Sequence, residues 1–419
     1  MKIRFLFLII ITTISFSAIA SDSTRIKKIR YHKSLRIFYQ AGSVLQTNHF
    51  LQGKNAKGLP VDYFQSYSLQ YGISTDGRKL WQQIYGYPVI GFGIYSVTFF
   101  NDAELGTPTA VYSFINAPII KRYKKWSINY EVGFGLAYNW KPYNPITNQY
   151  QLAIGSNKTV FLDAGLNVTI LFGRHLDFSA GFTFTHFSNG AMRIPNFGIN
   201  MRAPRIGLKY SFRGRPEFTK QEIPKFIKKW EWIILGAISV KQLAFLRTSD
   251  ENDSSYLTET YKIVTMSTGI NRQISHKVKF GFGMDFSYDD SYNSYVKYDS
   301  SGSFKKTDAG TGNKFTIGLH CSFELVISRL SLIIQPGWYV YRDKWDVPES
   351  PVLPSEQHPV GIAIPKRRSG NSYQRIGLKY HIFKNIFAGI NVRAYDFSIA
   401  DYIEWNIGYR IKWQKSYRK

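Results

Sequence analysis

Long stretches of this chain alternate apolar residues with polar or very small ones, and the alternation holds for about ten residues at a time. Ile128, Tyr130, Val132, Phe134 and Leu136 alternate with Asn129, Glu131, Gly133 and Gly135. Val278, Phe280, Phe282, Met284 and Phe286 alternate with Lys279, Gly281, Gly283 and Asp285. Near the C-terminus, Ile403, Trp405, Ile407, Tyr409, Ile411 and Trp413 alternate with Glu404, Asn406, Gly408, Arg410 and Lys412. Successive side chains of a strand point to opposite faces, so each stretch is a strand with one greasy face and one polar or bare face. Two folds accept such strands. A soluble sandwich turns the polar face to water, whereas an outer-membrane barrel turns the apolar face to lipid and lines its interior with the polar and small residues. The length matches a tilted membrane-crossing strand, which needs about 9–11 residues.

The connections choose between the two. Short links at 172–175, 328–329 and 383–385 alternate with long ones at 140–157, 189–202, 289–313 and 342–369. Outer-membrane barrels have short periplasmic turns and longer external loops. Closing the sheet gives every backbone group a partner in lipid. The expected fold is all-β, an outer-membrane antiparallel transmembrane β-barrel with about 14–16 strands in total. The strands fall into two sets, within 21–213 and 231–419, separated by a basic segment at 214–230 that contains Pro216 and Pro224 and reads as a periplasmic linker. They can close as one large barrel or as two tandem eight-stranded units. A single barrel avoids two extra seams and is the expectation taken here. The hexapeptide at 205–210 (Arg-Ile-Gly-Leu-Lys-Tyr) recurs word for word at 375–380, as a relic of duplication or as common strand composition.

The ends and the composition narrow the class further. Lys2 and Arg4, an apolar run over 5–16 and the tripeptide Ala18-Ile19-Ala20 read as a secretion signal, so the mature chain is expected to start near Ser21. No later stretch is apolar enough for a transmembrane helix. The single cysteine, Cys321, excludes an intramolecular disulfide, and its place on an apolar strand face suits packing or lipid contact. The formal net charge is +26, and losing Lys2 and Arg4 with the signal leaves +24. Such a field favours anionic partners: nucleic acid, acidic lipid or lipopolysaccharide phosphate. An exported chain without a recognisable nucleic-acid module argues against the first. The bland alternative is a surface of cation-rich loops.

One strand carries polar chemistry in an odd place. Leu176, Phe178, Ala180, Phe182 and Phe184 form a greasy stripe, and His186 and Ser188 continue it on the same face. Two residues apart on one face, their Cα atoms lie roughly 6.6 Å apart. A serine hydroxyl is a weak nucleophile until a base takes its proton. Attack on an ester then makes an oxyanion that needs a donor, for which the neighbouring Asn189 carries an amide. The imidazole needs an orienting group, and Asn200 is a candidate within the loop 190–201. Spacing alone is equally compatible with a pair of surface residues.

The full string is more specific. His186-Phe187-Ser188-Asn189-Gly190, followed by Pro195-Asn196-Phe197-Gly198-Ile199-Asn200 and the strand Ile206-Gly207-Leu208-Lys209-Tyr210, resembles the PagL family of lipid A 3-O-deacylases. The resemblance is most specific over 182–212, extends plausibly over 30–213 and says little about 231–419. It implies an eight-stranded outer-membrane barrel that hydrolyses the ester at the 3 position of lipid A and releases a hydroxy fatty acid. It also implies Ser188 as nucleophile, His186 as general base and Asn189 as oxyanion support. The family has a glutamate fourteen residues after its histidine, and here that position is Asn200. Asparagine can hold an imidazole by a hydrogen bond but supplies no charge to stabilise imidazolium. Either Asn200 suffices in a slower enzyme, or Asp163 or Asp177 substitutes, or the site is inactive. Asp177 has the parity of the opposite face.

The expected partners are lipopolysaccharide (lipid A) and outer-membrane lipid, with no nucleic acid. The expected location is the outer membrane of a Gram-negative bacterium, with the active site facing the outer leaflet. Arg193 and Arg202 flank the motif and are candidates for pairing with lipid A phosphates. The scattered histidines show no zinc-like spacing, so neither a metal nor a cofactor is expected. Calcium held by Asp289, Asp290 and Asp299 is a weaker reading than solvated loop acids. A competing function is a pore or transporter, for which inward residues such as Arg393, Arg410 and Lys412 would form an anion-attracting lumen. A role in assembly or adhesion rests on the long loops alone.

Overall fold

Strand β1 (His32–Leu45) opens a sheet that continues through β2 (Tyr63–Ser74), β3 (Val89–Thr98), β4 (Gly106–Pro118), β5 (Trp126–Trp140), β6 (Thr159–Phe172), β7 (Leu176–Ser188) and β8 (Ile199–Ser211). Each strand is antiparallel to the next, and β8 pairs back onto β1 from Ser34↔Ser211 to Leu45↔Asn200. The computed structural model describes residues 31–120, 125–246, 256–291, 294–298, 304–308, 311–342, 371–395 and 399–413. The expected secretion signal lies outside these, as does Asp299 of the calcium reading. Asp289 and Asp290 are engaged by Lys241 and Lys314, and no metal-holding cluster occurs among the described residues.

A second sheet begins at β9 (Lys229–Leu246) and continues through β10 (Tyr256–Gln273), β11 (Val278–Asp289), β14 (Phe315–Ile327), β15 (Leu330–Arg342), β16 (Ser372–His381), β17 (Ile386–Tyr395) and β18 (Ile399–Trp413). Strand β18 closes on β9, with Trp413↔Trp230 at one end and Trp405↔Ile238 at the other. A small hairpin of β12 (Ser294–Tyr298) and β13 (Phe304–Asp308) sits in the connection between β11 and β14. One five-residue helix, α1 (Leu80–Ile84), joins β2 to β3. The chain thus forms two closed eight-stranded barrels, and the expectation of one large barrel is corrected. The hydrogen bonds decide it: β8 pairs back onto β1 and β18 onto β9, so each sheet closes on itself and the two share no strand ladder.

An eight-stranded barrel is just wide enough for side chains to fill its interior. In the first barrel, Arg36 and Arg205 both grip Glu131, at 2.7 and 3.2 Å, and Arg205 also meets Asp163 at 3.0 Å. Gln70 and Asn116 donate to the same glutamate. In the second barrel, Arg375 bridges Asp285 (3.1 Å) and Glu404 (2.6 Å), Lys279 holds Glu231 (2.6 Å) and Lys379 pairs with Glu324. The repeated hexapeptide is explained by these contacts. Its first, third and fifth residues face inward, so Arg205 and Arg375 each clasp two carboxylates, while Lys209 and Lys379 each reach one more. The copies sit on the eighth strand of one barrel and the sixth of the other. A shared lumen environment accounts for this word without a matching strand position.

The outward faces are apolar: Phe92, Leu136, Phe182, Ile206, Phe282 and Ile407 are each at least half exposed. Connections at 46–62, 99–105, 141–158 and 189–198 gather at one end of the first barrel, hereafter the loop end. There Leu51, Leu152, Ala153 and Ile154 from the loops pack on Phe161, Tyr95, Trp140 and Phe187 from the strands, in one buried apolar cluster at that end of the barrel. Arg205→Ala removes the cation that Glu131 and Asp163 share inside the lumen. It is expected to cost about 3–5 kcal/mol, the penalty for stranding a buried partner, measured as a lowered urea midpoint of the refolded barrel in detergent.

Candidate active site

The stripe on β7 ends at the loop end, and its parity is fixed from inside. Thr183 and Thr185 point inward and donate to Asp163 Oδ1 at 2.6 and 2.7 Å. Phe187 also points inward, fully buried against Tyr95, Trp140 and Phe161. With these three anchored, the alternation of the strand puts Phe182, Phe184, His186 and Ser188 on the outer wall. Strand β8 lies alongside with His186↔Asn200 and Phe184↔Arg202 in register. Asn200 and Arg202 share the outward face, and Arg202 is exposed next to the apolar belt.

His186 Nδ1 and Asn200 Oδ1 are 2.6 Å apart. An amide oxygen only accepts, so the imidazole donates from Nδ1 and keeps the Nε2 lone pair free. The two alternative acids are elsewhere. Asp163 is inside the lumen with Arg205, Thr183 and Thr185, and Asp177 is inside the opposite end with Lys209 and Arg215. Asn200 is the group that holds the ring.

Ser188 is buried under the loop 189–198. Its Oγ accepts from the Gly190 backbone N–H at 3.0 Å and from Asn196 Nδ2 at 2.9 Å. Asn189 is also buried, and its side chain serves the loop: Nδ2 donates to the Arg193 carbonyl at 2.8 Å, and Oδ1 accepts from the Arg193 N–H. The Asn189 backbone N–H donates to Asn196 Oδ1 at 3.0 Å. The side-chain amide donor at the serine is therefore Asn196 rather than Asn189. Its signal was faint: an Asn between Pro195 and Phe197, two residues before a glycine, in a loop where strand parity says nothing. Arg193 is exposed on the same loop.

Gly198 completes the geometry. It has φ +71°, and a Cβ there would lie 3.0 Å from the Phe187 carbonyl, 3.3 Å from His186 Cε1 and 3.7 Å from Ser188 Cβ. The chain thus crosses directly over both polar residues. Its N–H and that of Phe197 donate to the Ala153 and Leu152 carbonyls, which ties this loop to the loop 141–158. A cavity of about 640 Å³ lies at the opposite end, lined by residues that include Arg36, Tyr85, Asp177 and Arg215, and does not touch the site.

These features are those of an outer-membrane β-barrel protein with its polar site on the wall and a filled lumen. Family comparison specifies it further. Residues 65–209 match the model described as Lipid A 3-O-deacylase (PagL), and residues 230–350 and 360–413 match Acyloxyacyl hydrolase, C-terminal domain. The chain belongs to the PagL family of lipid A 3-O-deacylases, a family of hydrolases acting on lipid A acyl esters. The C-terminal match extends the kinship across the second barrel, about which the motif on β7 and β8 is silent. No curated protein matches the chain. Among solved structures it is similar to an outer-membrane channel from Pseudomonas putida F1 (8% identity, 94% of this chain and 100% of that one, TM-score 0.20). It is also similar to the siderophore receptor PirA from Pseudomonas aeruginosa (8% identity, 92% and 80%, TM-score 0.23). Neither likeness carries an argument about function.

Gly198→Ala is expected to lower lipid A ester hydrolysis by about tenfold or more, because the methyl displaces the His186 ring and the backbone there favours glycine. The folded barrel should persist, seen as a retained mobility shift of the unboiled protein on a gel.

Proposed function

We propose that this protein removes the ester-linked hydroxyacyl chain at the 3 position of lipid A, with Ser188 as nucleophile and His186 as general base. The observation that carries the reading is the 2.6 Å bond between His186 Nδ1 and Asn200 Oδ1, which leaves Nε2 as the basic nitrogen on the same face as Ser188. Ser188 Oγ attacks the acyl carbonyl as its proton passes to His186 Nε2. The oxyanion collapses, the bond to the sugar oxygen breaks, and the imidazolium returns the proton to that oxygen. Water, deprotonated by the same imidazole, then hydrolyses the acyl-serine and frees the hydroxy fatty acid. The Asn196 amide and the Gly190 N–H donate to Ser188 Oγ before attack, and in the proposed reaction they turn to the oxyanion that forms beside it. Asn189, bonded to Arg193, holds the loop that carries them.

The placement of the pair suits its substrate. With the loop end facing the cell exterior, the site opens on the barrel wall near the outer-leaflet headgroups, where the ester of lipid A lies. Arg202 lies one register step, roughly 6.6 Å, below the His186–Asn200 pair, and its long side chain can reach up to a phosphate while its stem covers apolar wall. Arg193 projects from the loop above. A conducting pore has less support. The lumen cations that would attract anions are engaged: Arg410 and Lys412 meet Glu231 at 3.3 and 3.6 Å, and Arg393 lies on the Tyr373 ring and 3.7 Å from Glu404.

Mass spectrometry of lipid A from cells with and without the protein tests the reading. Loss of one 3-linked hydroxyacyl group is expected with the parent and not with Ser188→Ala; equal loss with both would overturn it. Asn200 should set the rate. A neutral partner leaves the imidazolium without a counter-charge, and the analogous change in a serine protease costs on the order of 10⁴. Asn200→Glu is therefore expected to raise kcat by at least about tenfold and Asn200→Ala to lower it. Arg202→Ala is expected to raise KM severalfold with kcat little changed, as for a group that binds the phosphate and takes no part in the chemistry.

A further inference from the structure

The loop 189–198, which follows Ser188 and covers it, touches the second barrel. Residues His32–Lys419 form one compact unit. Within it, β9 and β18 pair only as far as Ile238↔Trp405, while β9 runs on to Leu246. Beyond Ile238 that edge of β9 makes no further ladder pairing with β18 among the described residues, and such an edge at the rim presents backbone groups that need partners. The first barrel supplies one: the Gln242 N–H donates to the Ala191 carbonyl at 3.2 Å. The Gln242 side chain adds a second bond, its Oε1 accepting from the Ile194 N–H at 3.3 Å. Its Nε2 donates to Thr260 Oγ1 on β10 at 3.2 Å, which fixes the amide's direction. Beside it, Gly190 presses on β18. A Cβ at Gly190 would lie 2.4 Å from Ile403 Cγ1, and Ile403 is buried although Trp405 and Ile407 on the same face are exposed.

These contacts fall on the backbone that sets the serine. Gly190 is the residue whose N–H donates to Ser188 Oγ, and Asn196, the other donor, lies two residues after Ile194. Ala191 sits at φ +59°, a left-handed conformation that non-glycine residues adopt at a cost and keep only where their surroundings impose it. We propose that the second barrel braces the serine loop of the first, and that Gln242 is a positioning residue for the site. Its bonds at Ala191 and Ile194 grip the loop on either side of Met192 and Arg193, holding the Gly190 and Asn196 donors at the serine oxygen. This role rests on the reading of Ser188 as nucleophile, and it assigns the second barrel a share in a reaction to which it lends no reacting group.

The test uses the full chain refolded in detergent, with purified lipopolysaccharide as substrate, and compares the parent, Gln242→Leu, Gln242→Glu and Ser188→Ala. Leucine keeps the bulk and loses the amide, whereas glutamate keeps the acceptor for Ile194. Gln242→Leu is expected to lower kcat about fivefold, the worth of one ordinary hydrogen bond, with KM within about twofold of the parent. Gln242→Glu is expected to stay within about twofold in both. Hydrogen exchange of the peptide spanning 189–198 is expected to quicken in Gln242→Leu and not in Gln242→Glu. Unchanged kcat and unchanged exchange in Gln242→Leu would overturn the brace, as would an equal fall in both Gln242 variants. If the parent and Ser188→Ala hydrolyse alike, the catalytic reading fails, and the exchange comparison alone decides whether the brace stands.

Discussion

The structure depends on a constraint of the lipid environment: a backbone amide facing hydrocarbon must find its partner within the protein. Both sheets meet it by closing at eight strands, β8 onto β1 and β18 onto β9. Closure at that number has consequences. The lumen is narrow and must be filled, and it is filled with arginine and lysine clasped by carboxylates, on Glu131 and Asp163 in one barrel and on Asp285, Glu404, Glu231 and Glu324 in the other. With no room inside for a large amphiphile, chemistry on lipid has to take place on the wall. The period of two then settles which residues are available there, because anchoring Thr183, Thr185 and Phe187 inside turns His186 and Ser188 out.

The third member of the site shows how far geometry can substitute for charge. Asn200 stands in register with His186 and holds its Nδ1 as a carboxylate would. It fixes the tautomer and the ring plane, which is half of what an acid contributes. The other half, stabilising the imidazolium formed during attack, requires a negative charge, and the nearby candidates are committed elsewhere. Asp163 and Asp177 face the interior and are paired with Arg205, Lys209 and Arg215. On the proposed mechanism the site keeps its orientation and loses electrostatic support, in a family whose pattern has a glutamate at this position.

How much of this was legible in the sequence varies from residue to residue. The positions of His186 and Ser188 on one outward face could be read in advance, because parity along β7 is a local property of extended chain. Asn200, expected within a loop over 190–201, lies instead at the start of β8, where the pairing with His186 fixes its face. The wrong face for Asp177 was legible for the same reason. The roles within 189–198 were not. There the backbone leaves the strand, parity lapses, and hydrogen bonds choose between neighbouring amides: Asn189 is drawn to Arg193 and Asn196 to Ser188. The contact of Gln242 with Ala191 and Ile194 was out of reach altogether, since it joins residues of two separate sheets.

The sequence by itself determined an all-β chain of membrane-length strands, a lipid-facing belt, a polar lining and the face on which the His-Ser pair sits. Each follows from a repeat of two residues, which is written in the order of the amino acids. Only the tertiary structure decided that sixteen strands close as two barrels, that the repeated hexapeptide serves two lumens, and that Asn196 is the side-chain amide that meets the serine. Those outcomes depend on which distant edge a strand finds and which of several like groups comes within bonding distance. Such choices are made by closure and packing in three dimensions, and no local pattern encodes them.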